Sequence, residues 1–257
     1  MDLMTHPKKT KKKTLLIDGD ILLYQESAAV EEAFHWGDDF WSLTADARLA
    51  KQAVDVWVAK HKELLEATDV IITLTGPENW RKDIFPSYKS NRKGKRKPVI
   101  FPELREYCRE TYKTVEFPNL EADDVMGLLA TGAIQKIDGE KIIVSEDKDL
   151  KTIPGFLYNP NKPEEGVQCL TEEEANRNHL FQALTGDATD GYGGCPGIGP
   201  KTAVKVLQQG TWEEVLSAYQ KAGLEETDAL TQARVARILR KGEFVVTSGA
   251  VNLWNPA

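Results

Sequence analysis

Apolar and polar residues form two kinds of segment along the first 150 positions. Positions 14–24, 69–75 and 141–147 each contain a continuous run of apolar, β-favouring residues, which predicts strands buried on both faces. The first run ends at an acidic turn and leads into a helix. Between the first two runs, 45–67 has apolar residues at helical spacing and predicts an amphipathic helix. Alternating strands and helices predict a parallel α/β sheet.

The shorter elements continue this pattern. We predict, in chain order, a helix at 102–110, a short strand at 113–117, a helix that begins at 120–124 (LEADD), short extra strands at 157–160 and 167–170, and helices from 171 onward, interrupted at 186–200. Residues 76–98 are bounded by Gly and Pro and have no clear periodicity, so they predict a long loop or an exposed helical excursion. A segment of that length is unusual enough to indicate a function.

The composition is that of an ordinary globular protein. The 257 residues are 41% hydrophobic and 28% charged, enough for one large domain or for a core with an appended domain. No apolar run approaches the roughly 20 residues of a membrane span, and the basic N-terminus precedes too short an apolar run for a secretory signal. The three cysteines lack metal-type spacing, so we expect a reducing, cytoplasmic compartment and no membrane.

Acidic residues follow three of the predicted strands where each strand ends. They are Asp18 and Asp20 after the first; Glu121, Asp123 and Asp124 after the short one; Asp147 and Asp149 after the third; and a further pair, Asp187 and Asp190. Ligands of parallel sheets bind at the carboxyl ends of strands, and so many acids cannot stay ionised together without cations. Oxygen-only ligands select hard ions, so we predict magnesium or manganese.

Each acidic group alone has a simpler explanation. Acids at the start of a helix interact favourably with its dipole, and SEDKD could be a solvated turn. Their coincidence at equivalent ends of several strands is not explained in that way. Two hard cations without a histidine base indicate phosphoryl chemistry, although acids alone do not name the substrate.

The segment 81–97 combines eight cations with a single acid. Its cations are Arg81, Lys82, Lys89, Arg92, Lys93, Lys95, Arg96 and Lys97, and the rings of Trp80, Phe85 and Tyr88 are interleaved with them. Cations for phosphates and rings for unstacked bases are what single-strand channels use. The alternative is a solvated charged surface. The net charge of −7 does not exclude nucleic acid, because phosphates respond to local patches.

The stretch GCPGIGPKTAVKVL at 194–207 predicts a tight turn followed by a helix. Gly197 and Gly199 bracket the turn, and Lys201 and Thr202 lie in the first helical turn, where backbone N–H groups bind phosphates. A P-loop does not fit, because Pro200 displaces the Lys-Thr pair by one position and no apolar strand precedes it. The pattern is that of a helix-hairpin-helix; a plain packing turn is the alternative.

Together these motifs resemble the flap endonuclease and 5′→3′ exonuclease family. IDGD, FPSYKSNR, LEADD, SEDKD and GDATDGYGGCPGIGPKTA follow the family's order within 14–210, most like the stand-alone 5′ exonucleases of tailed bacteriophages. The resemblance implies an α/β fold with a PIN-like parallel sheet core, a helical arch and a C-terminal helix-hairpin-helix subdomain. We therefore expect a basic tail at 1–13, a nuclease core at 14–170 with its arch at about 76–110, and a helical domain at 171–257.

The resemblance also implies roles for individual residues. One metal ion would be served by Asp18, Glu121, Asp123 and Asp124, and the other by Asp147, Asp149, Asp187 and Asp190. Lys89 matches the arch lysine that contacts the scissile phosphate, with Arg81 and Arg92 as supporting cations. Gly197, Gly199 and Lys201 match the hairpin that holds a phosphate and, in the family, a potassium ion. Lys82, Lys93 and Thr202 join the expected DNA-binding residues.

Three positions depart from the family pattern. The second core strand ends in Thr73-Leu74-Thr75, where the family usually has an aspartate, so one metal ion would have fewer ligands. Asp20 stands where many members have asparagine, and GDATDG lacks the asparagine that is common after its second aspartate. These departures leave the geometry of the first metal ion open.

The expected function is a magnesium-dependent 5′→3′ exonuclease of double-stranded DNA. It would also cut flaps and RNA primers in RNA–DNA hybrids, by two-metal hydrolysis, and we expect a monomer. One alternative is a PIN-type endoribonuclease, which would leave 187–207 and the basic segment without a purpose. The other is a non-catalytic, structure-specific DNA-binding protein, which would gain nothing from crowded acids.

Overall fold

The computed structural model describes residues 12–256, so most of the expected basic tail lies outside the described residues. A six-stranded sheet with the order β5-β4-β1-β6-β7-β8 forms the centre. Its strands are β1 (Lys13–Asp18), β4 (Asp69–Leu74), β5 (Thr114–Glu116), β6 (Glu140–Val144), β7 (Gly155–Tyr158) and β8 (Val167–Leu170). All neighbours pair in parallel except β7 and β8, which are antiparallel. The predicted strands, including the two short extra ones, are confirmed.

Helices cover both faces of the sheet, as the continuous apolar strands require. Leu15 and Ile17 point to one face, where α1 (Gly19–Ala29), α2 (Ala47–Leu64) and α4 (Phe101–Thr111) pack. Leu16 points to the other face, against α5 (Ala122–Ala130), because successive side chains alternate along a strand. None of the described helices is long and apolar enough to span a membrane.

A β-hairpin between α1 and α2 was not predicted from the sequence. Strands β2 (Glu31–Gly37) and β3 (Phe40–Ala45) form a separate two-stranded ribbon. Gly37, Asp38 and Asp39 make its turn with positive φ angles, and the aromatic residues beside the turn are largely exposed. The Gly-Asp-Asp turn between aromatic residues was the available signal for this hairpin.

The predicted loop at 76–98, which contains the basic segment 81–97, is mainly irregular. It contains the four-residue helix α3 (Arg81–Ile84) and a single 3₁₀ turn at Ser90–Arg92. Between the two predicted alternatives, the structure is closer to the long loop, and within the described chain no extended helix precedes α4 in the expected arch region.

Four helices form a smaller unit after the sheet. They are α6 (Glu172–Thr185), α7 (Pro200–Val206), α8 (Trp212–Lys221) and α9 (Glu226–Ala236), and they share a core of their own. The chain from 237 onward returns to the sheet, where Ile238, Leu239 and Phe244 pack with the residues of α5. The short strands β9 (Phe244–Val245) and β10 (Ala250–Val251) pair there. The helical domain expected at 171–257 is therefore helical only to Ala236.

Candidate active site at the carboxyl edge of the sheet

Acidic side chains follow the carboxyl ends of the central strands, as the sequence predicted. Asp18 is the last residue of β1; it caps α1 by accepting from the Ile21 N–H (3.2 Å) and accepts a hydrogen bond from the Ser145 hydroxyl (2.9 Å). Asp147 follows β6 and accepts from the Asp149 N–H (2.8 Å). The parallel registers of β1 and β6 bring these strand ends side by side.

Asp123 lies at the centre of this acidic group, in the first turn of α5. Among residues 12–256, none donates a hydrogen bond to its carboxylate or forms an ion pair with it. Burial, together with the nearby charges of Asp18 and Asp147, raises the pKa of Asp123 well above its usual value. A half-buried carboxylate with like-charged neighbours and no hydrogen-bond donor is the kind of group that a cation would stabilise.

Two further acids are perturbed in the same direction. Burial raises the pKa of Asp18 to about 7, and the charges of Asp20 and Asp147 act in the same sense. Burial and the charge of Asp147 raise the pKa of Asp149 to about 6. Desolvation and mutual repulsion both favour the protonated form, so this edge of the sheet holds its negative charge at a cost in stability.

Asp187 and Asp190 lie in a tight turn rather than on one face of a helix. Asp187 accepts hydrogen bonds from the Thr189 N–H (2.7 Å) and from Lys148 Nζ (2.8 Å). Asp190 receives Arg92 Nη2 at 2.8 Å and has Lys89 Nζ at 3.4 Å. Both acids are therefore paired with cations from other segments. Asp187 pairs with Lys148, which follows β6, and Asp190 pairs with Arg92 and Lys89 of the basic segment.

The side chain of Lys89 points toward the acids rather than toward solvent. Its backbone has a positive φ of 53°, its N–H donates to the Asp190 carbonyl (2.8 Å) and its Nζ donates to Glu121. The hydroxyl of Tyr88 lies 2.9 Å from both Glu121 Oε2 and Asp190 Oδ2. Although burial alone would raise the pKa of Glu121, the charges of Lys89 and Arg81 lower it to about 2.

Two of the expected site residues are instead part of the interior. Both oxygens of Asp124 accept hydrogen bonds from Arg81, and they also receive Trp80 Nε1 (3.0 Å) and the Leu239 N–H (3.2 Å). Arg81 is only 2% exposed, and its other hydrogen bonds go to Glu121 (3.1 Å) and to the main-chain carbonyls of Val235 and Arg237. Asp124 thus has no oxygen left for a metal ion, and Arg81 does not reach a phosphate. The buried rings of Trp80 and Tyr88 are likewise unavailable for stacking on bases.

The departures noted in the sequence have a structural counterpart. Asp20 accepts hydrogen bonds from Arg105 Nη1 and from the Thr75 N–H, both at 3.1 Å. Thr73 donates to the Ile17 carbonyl, and the Thr75 hydroxyl accepts from the Ala122 N–H (3.0 Å). Asp20 and Arg105 therefore anchor the end of β4, where the family would place an aspartate, and Asp20 is committed to this structural role.

The side chains as they stand do not form a compact metal cage. Within residues 12–256, no three histidine, cysteine, aspartate or glutamate side chains converge closely enough to hold one ion, because Glu121, Asp187 and Asp190 turn toward Lys89, Arg92 and Lys148. The donor chemistry still suits a hard divalent cation, since every candidate ligand named at this edge is a carboxylate and three of them have raised pKa values. The residues that best fit such ions are Asp18, Asp123, Asp147 and Asp149.

The predicted DNA-binding residues lie on two surfaces. Lys82 and Lys93 are exposed on the basic segment. Gly197 has a φ of 78°, and Gly199 is the N-cap of α7, with Pro200 at its first position and Lys201 and Thr202 exposed in its first turn. This is the tight turn and helix start that the sequence predicted. Sequence reasoning missed Ser145, Lys148 and Arg105, because their roles depend on contacts between distant segments.

Replacing Asp18 by asparagine should stabilise the metal-free protein increasingly as pH rises. The pKa of Asp18 is higher in the folded chain (about 7) than in the unfolded chain, so its contribution favours folding below about pH 4 and is lost as pH rises through 7. The test is the melting temperature of both proteins in a chelator at pH 5 and pH 8. The melting temperature of the variant relative to that of the wild type should be roughly 5 °C higher at pH 8 than at pH 5. A difference between the proteins that does not change with pH would contradict the raised pKa. Burial lowers the pKa of His179 to about 3, which makes stability rise with pH, opposite to the effect of Asp18. His179 is present in both proteins, so its effect cancels when they are compared.

Comparisons with known proteins agree with this geometry. Residues 13–173, which contain the whole six-stranded sheet, match the family model of the N-terminal resolvase-like domain of 5′-3′ exonucleases. The chain is 32% identical to an exonuclease of Escherichia phage T7, with 95% of this chain and 94% of the relative covered. It is 29% identical to the flap endonuclease Xni of Shewanella oneidensis, with 89% and 88% covered.

Solved structures show the same fold at low sequence identity. A phage T5 5′-exonuclease with bound divalent metal ions superposes with a TM-score of 0.63 at 15% identity, over 88% of this chain and 93% of that one. The catalytic core of Rad2 in complex with a DNA substrate superposes with a TM-score of 0.51 at 15% identity, over 83% and 66%. From its sheet, its acidic strand ends and these relatives, we conclude that the chain belongs to the 5′→3′ exonuclease family of nucleases.

Proposed function

We propose that this nuclease is a magnesium-dependent 5′→3′ exonuclease of double-stranded DNA that also cuts 5′ flaps and RNA strands in RNA–DNA hybrids. The observation that carries the proposal is the row of crowded carboxylates beside Lys89 and Arg92, because it pairs acids that need cations with cations that suit a phosphate. We propose that the protein acts as a monomer in the cytoplasm. If it is encoded by a phage, this is the cytoplasm of the bacterial host.

Two divalent ions, Mg²⁺ or Mn²⁺, would be held mainly by Asp18 and Asp123 and by Asp147 and Asp149. Glu121, Asp187 and Asp190 would join them once their cationic partners turn away. When bound, such ions would activate water and stabilise the negative charge that develops at the phosphate. The protein's own contribution is to fix these carboxylates at adjacent strand ends, through the cap of Asp18 on α1 and the hydrogen bond from Ser145.

Lys89 and Arg92 would orient the scissile phosphate. Both cations lie at the acidic edge, where their charges are held by Glu121 and Asp190. A phosphate group that approaches the site offers the same charge and hydrogen-bond acceptors as these carboxylates. We therefore propose that Lys89 exchanges a carboxylate partner for the phosphate of the bound strand.

The turn at 194–199 and the start of α7 would hold the duplex through its backbone. Exposed Lys201 and Thr202, with the open backbone at Gly197 and Gly199, suit a phosphate contact that reads no bases. A potassium ion at this turn follows from the family resemblance and belongs to the same proposal. Lys82 and Lys93 would add contacts to the single strand.

Replacing Lys201 by glutamate should weaken duplex binding without changing the chemical step. We expect a loss of affinity of roughly tenfold, and a slope of log K against log salt that is shallower by about 1 to 2, because one phosphate contact is lost and one repulsion is added. Binding of a blunt duplex in calcium, measured over a range of salt concentrations, provides the test. The matched control is Lys221→Glu, the same charge change at the far end of α8. Equal effects of the two variants would contradict the hairpin assignment.

The proposed function is tested with blunt, 5′-flap and RNA–DNA hybrid duplexes, each labelled at either end. We expect magnesium-dependent release of products from the 5′ side, and loss of that release when Asp147 is replaced by asparagine. Gel filtration of the active protein should give a monomer. Cleavage of single-stranded RNA without cleavage at any DNA end would overturn the proposal in favour of an endoribonuclease. Failure to cut only the hybrid would remove the RNA-directed activity alone.

A further inference from the structure

The arginine that sequence analysis placed at the phosphate has a different position from Lys89 and Arg92. Arg81 begins α3, eight residues before Lys89, and it is fully enclosed. Its guanidinium makes a two-pronged ion pair with Asp124, at 2.7 and 2.8 Å, and a further contact of 3.1 Å to Glu121. An arginine so committed cannot turn to a substrate without leaving the buried carboxylate of Asp124 without its ion-pair partner.

The same guanidinium also holds the chain that follows the helical unit. Arg81 Nε donates to the Val235 carbonyl (2.9 Å) and Nη2 donates to the Arg237 carbonyl (2.6 Å). Asp124, its ion-pair partner, accepts from the Leu239 N–H (3.2 Å). One buried ion pair thus joins three segments that are distant in sequence: the base of the basic segment, the start of α5, and the chain at 235–239.

This junction supports the side chains that carry Lys89. The Arg81 guanidinium carbon lies 4.6 Å from the ring centre of Trp80 and 5.7 Å from that of Tyr88. Tyr88 is buried in a cluster with Tyr192, Val235 and Ala236, and it precedes Lys89 directly. Because Lys89 has a left-handed backbone, which costs energy for a residue with a Cβ, its position depends on such supporting contacts.

We propose that Arg81 is a positioning residue that fixes Lys89 over the acidic edge by tying the basic segment to the chain at 235–239. The inference deepens the proposed function and rests on the role given there to Lys89. It also gives a role to residues 235–239, which carry no motif of their own. Arg81 acts through Lys89 and does not contact the DNA.

The test is a double-mutant cycle of Arg81→Lys and Lys89→Ala, read by single-turnover 5′ release with saturating enzyme and magnesium. Lysine keeps the charge but not the fork that reaches Asp124 and two carbonyls together. We expect Arg81→Lys to slow release by roughly tenfold or more in the wild-type background and by less than about twofold in the Lys89→Ala background. Duplex affinity should change by less than about twofold, and the slope of its salt dependence should not change. Amide hydrogen exchange should rise in residues 82–93 and not in β1 or β6.

Two further variants keep the test decisive. Asp124→Asn removes the partner's charge at nearly the same size and should give the same non-additive pattern, also where Arg81→Lys folds poorly. Arg240→Lys is the matched control, because Arg240 is also buried and donates to the Thr152 carbonyl without touching the basic segment. Any slowing that it causes should be the same in both Lys89 backgrounds.

The outcomes separate the inference from the proposed function. Equal losses from Arg81→Lys in both backgrounds, or a shallower salt dependence of binding, would overturn the positioning role and return Arg81 to the substrate. If Lys89→Ala alone leaves 5′ release unchanged, the role of Lys89 in the proposed function fails, and the claim that Arg81 acts through it fails too. In that case, unchanged exchange at 82–93 would also exclude Arg81 as an anchor of the segment.

Discussion

Asp123→Asn is expected to lower the rate of 5′ release by roughly three orders of magnitude. At the same time it should raise the melting temperature of the metal-free protein. The two effects have one cause. Asp123 is a half-buried carboxylate near Asp18 and Asp147, no residue among 12–256 donates a hydrogen bond to it, and the charge of Lys89 offsets the repulsion only in part. Asparagine has nearly the same shape without the charge, so it relieves the repulsion and weakens the hold on a divalent ion.

The measurement is a melting curve with and without magnesium, alongside single-turnover cleavage. Wild-type protein should gain stability from magnesium, because an ion that binds only the folded state shifts the equilibrium toward it. The variant should melt higher than wild type in chelator and gain much less from magnesium. Asp138→Asn is the matched control and should behave as wild type, because Asp138 is an exposed acid just before β6, at the amino edge of the sheet and opposite the acidic edge. A variant that is destabilised in chelator would show that Asp123 has a favourable partner in the folded protein.

Lys89→Ala should be the second most damaging change. We expect single-turnover release to fall by roughly a hundredfold, since removing one donor from a developing charge costs about that much. Duplex affinity should change little, because the proposed duplex contacts lie at the start of α7. The change should also strengthen magnesium binding, as Glu121 loses the cation that now holds it.

Calorimetric titration of magnesium and cleavage at saturating magnesium separate these two effects. Lys93→Ala is the matched control, because Lys93 is an exposed lysine of the same segment; it should reduce strand affinity at low salt and leave the chemical step unchanged. Lys89→Arg should not restore the wild-type rate, since a planar fork does not replace a compact ammonium group. A Lys89→Ala variant that cleaves at the wild-type rate would contradict the proposed phosphate contact.

The sheet and its acidic edge could be predicted from the sequence because both follow from short-range rules. Continuous apolar runs indicate strands buried on both faces, and parallel strands bring their carboxyl ends to one edge. Asp18, Asp123 and Asp147 follow directly from those two rules. The ribbon at 31–45 escaped prediction because both its faces are exposed, so its aromatic residues do not give the simple inside-outside alternation of a half-buried strand.

The residues that were assigned incorrectly share a different cause. Arg81 and Asp124 have the same residue types and nearly the same spacing as the neighbouring site residues, and only their long-range partners distinguish them. Those partners are main-chain groups of Val235, Arg237 and Leu239, which no side-chain pattern announces. A sequence motif indicates which residues are near the site, whereas burial decides which of them face the substrate.

The ion pair of Arg81 and Asp124 also affects the order in which the protein can mature. The hydrogen bond from Arg81 to Val235 spans 154 residues, and that from Leu239 to Asp124 spans 115. Contacts of such separation form late, because long loops must close first. During synthesis, the sheet can assemble while this buried pair still waits for its last partners to leave the ribosome. The sheet would therefore form before Lys89 is correctly placed, and DNA cutting would be delayed until residues 235–239 have been synthesised and have docked on the Arg81–Asp124 pair.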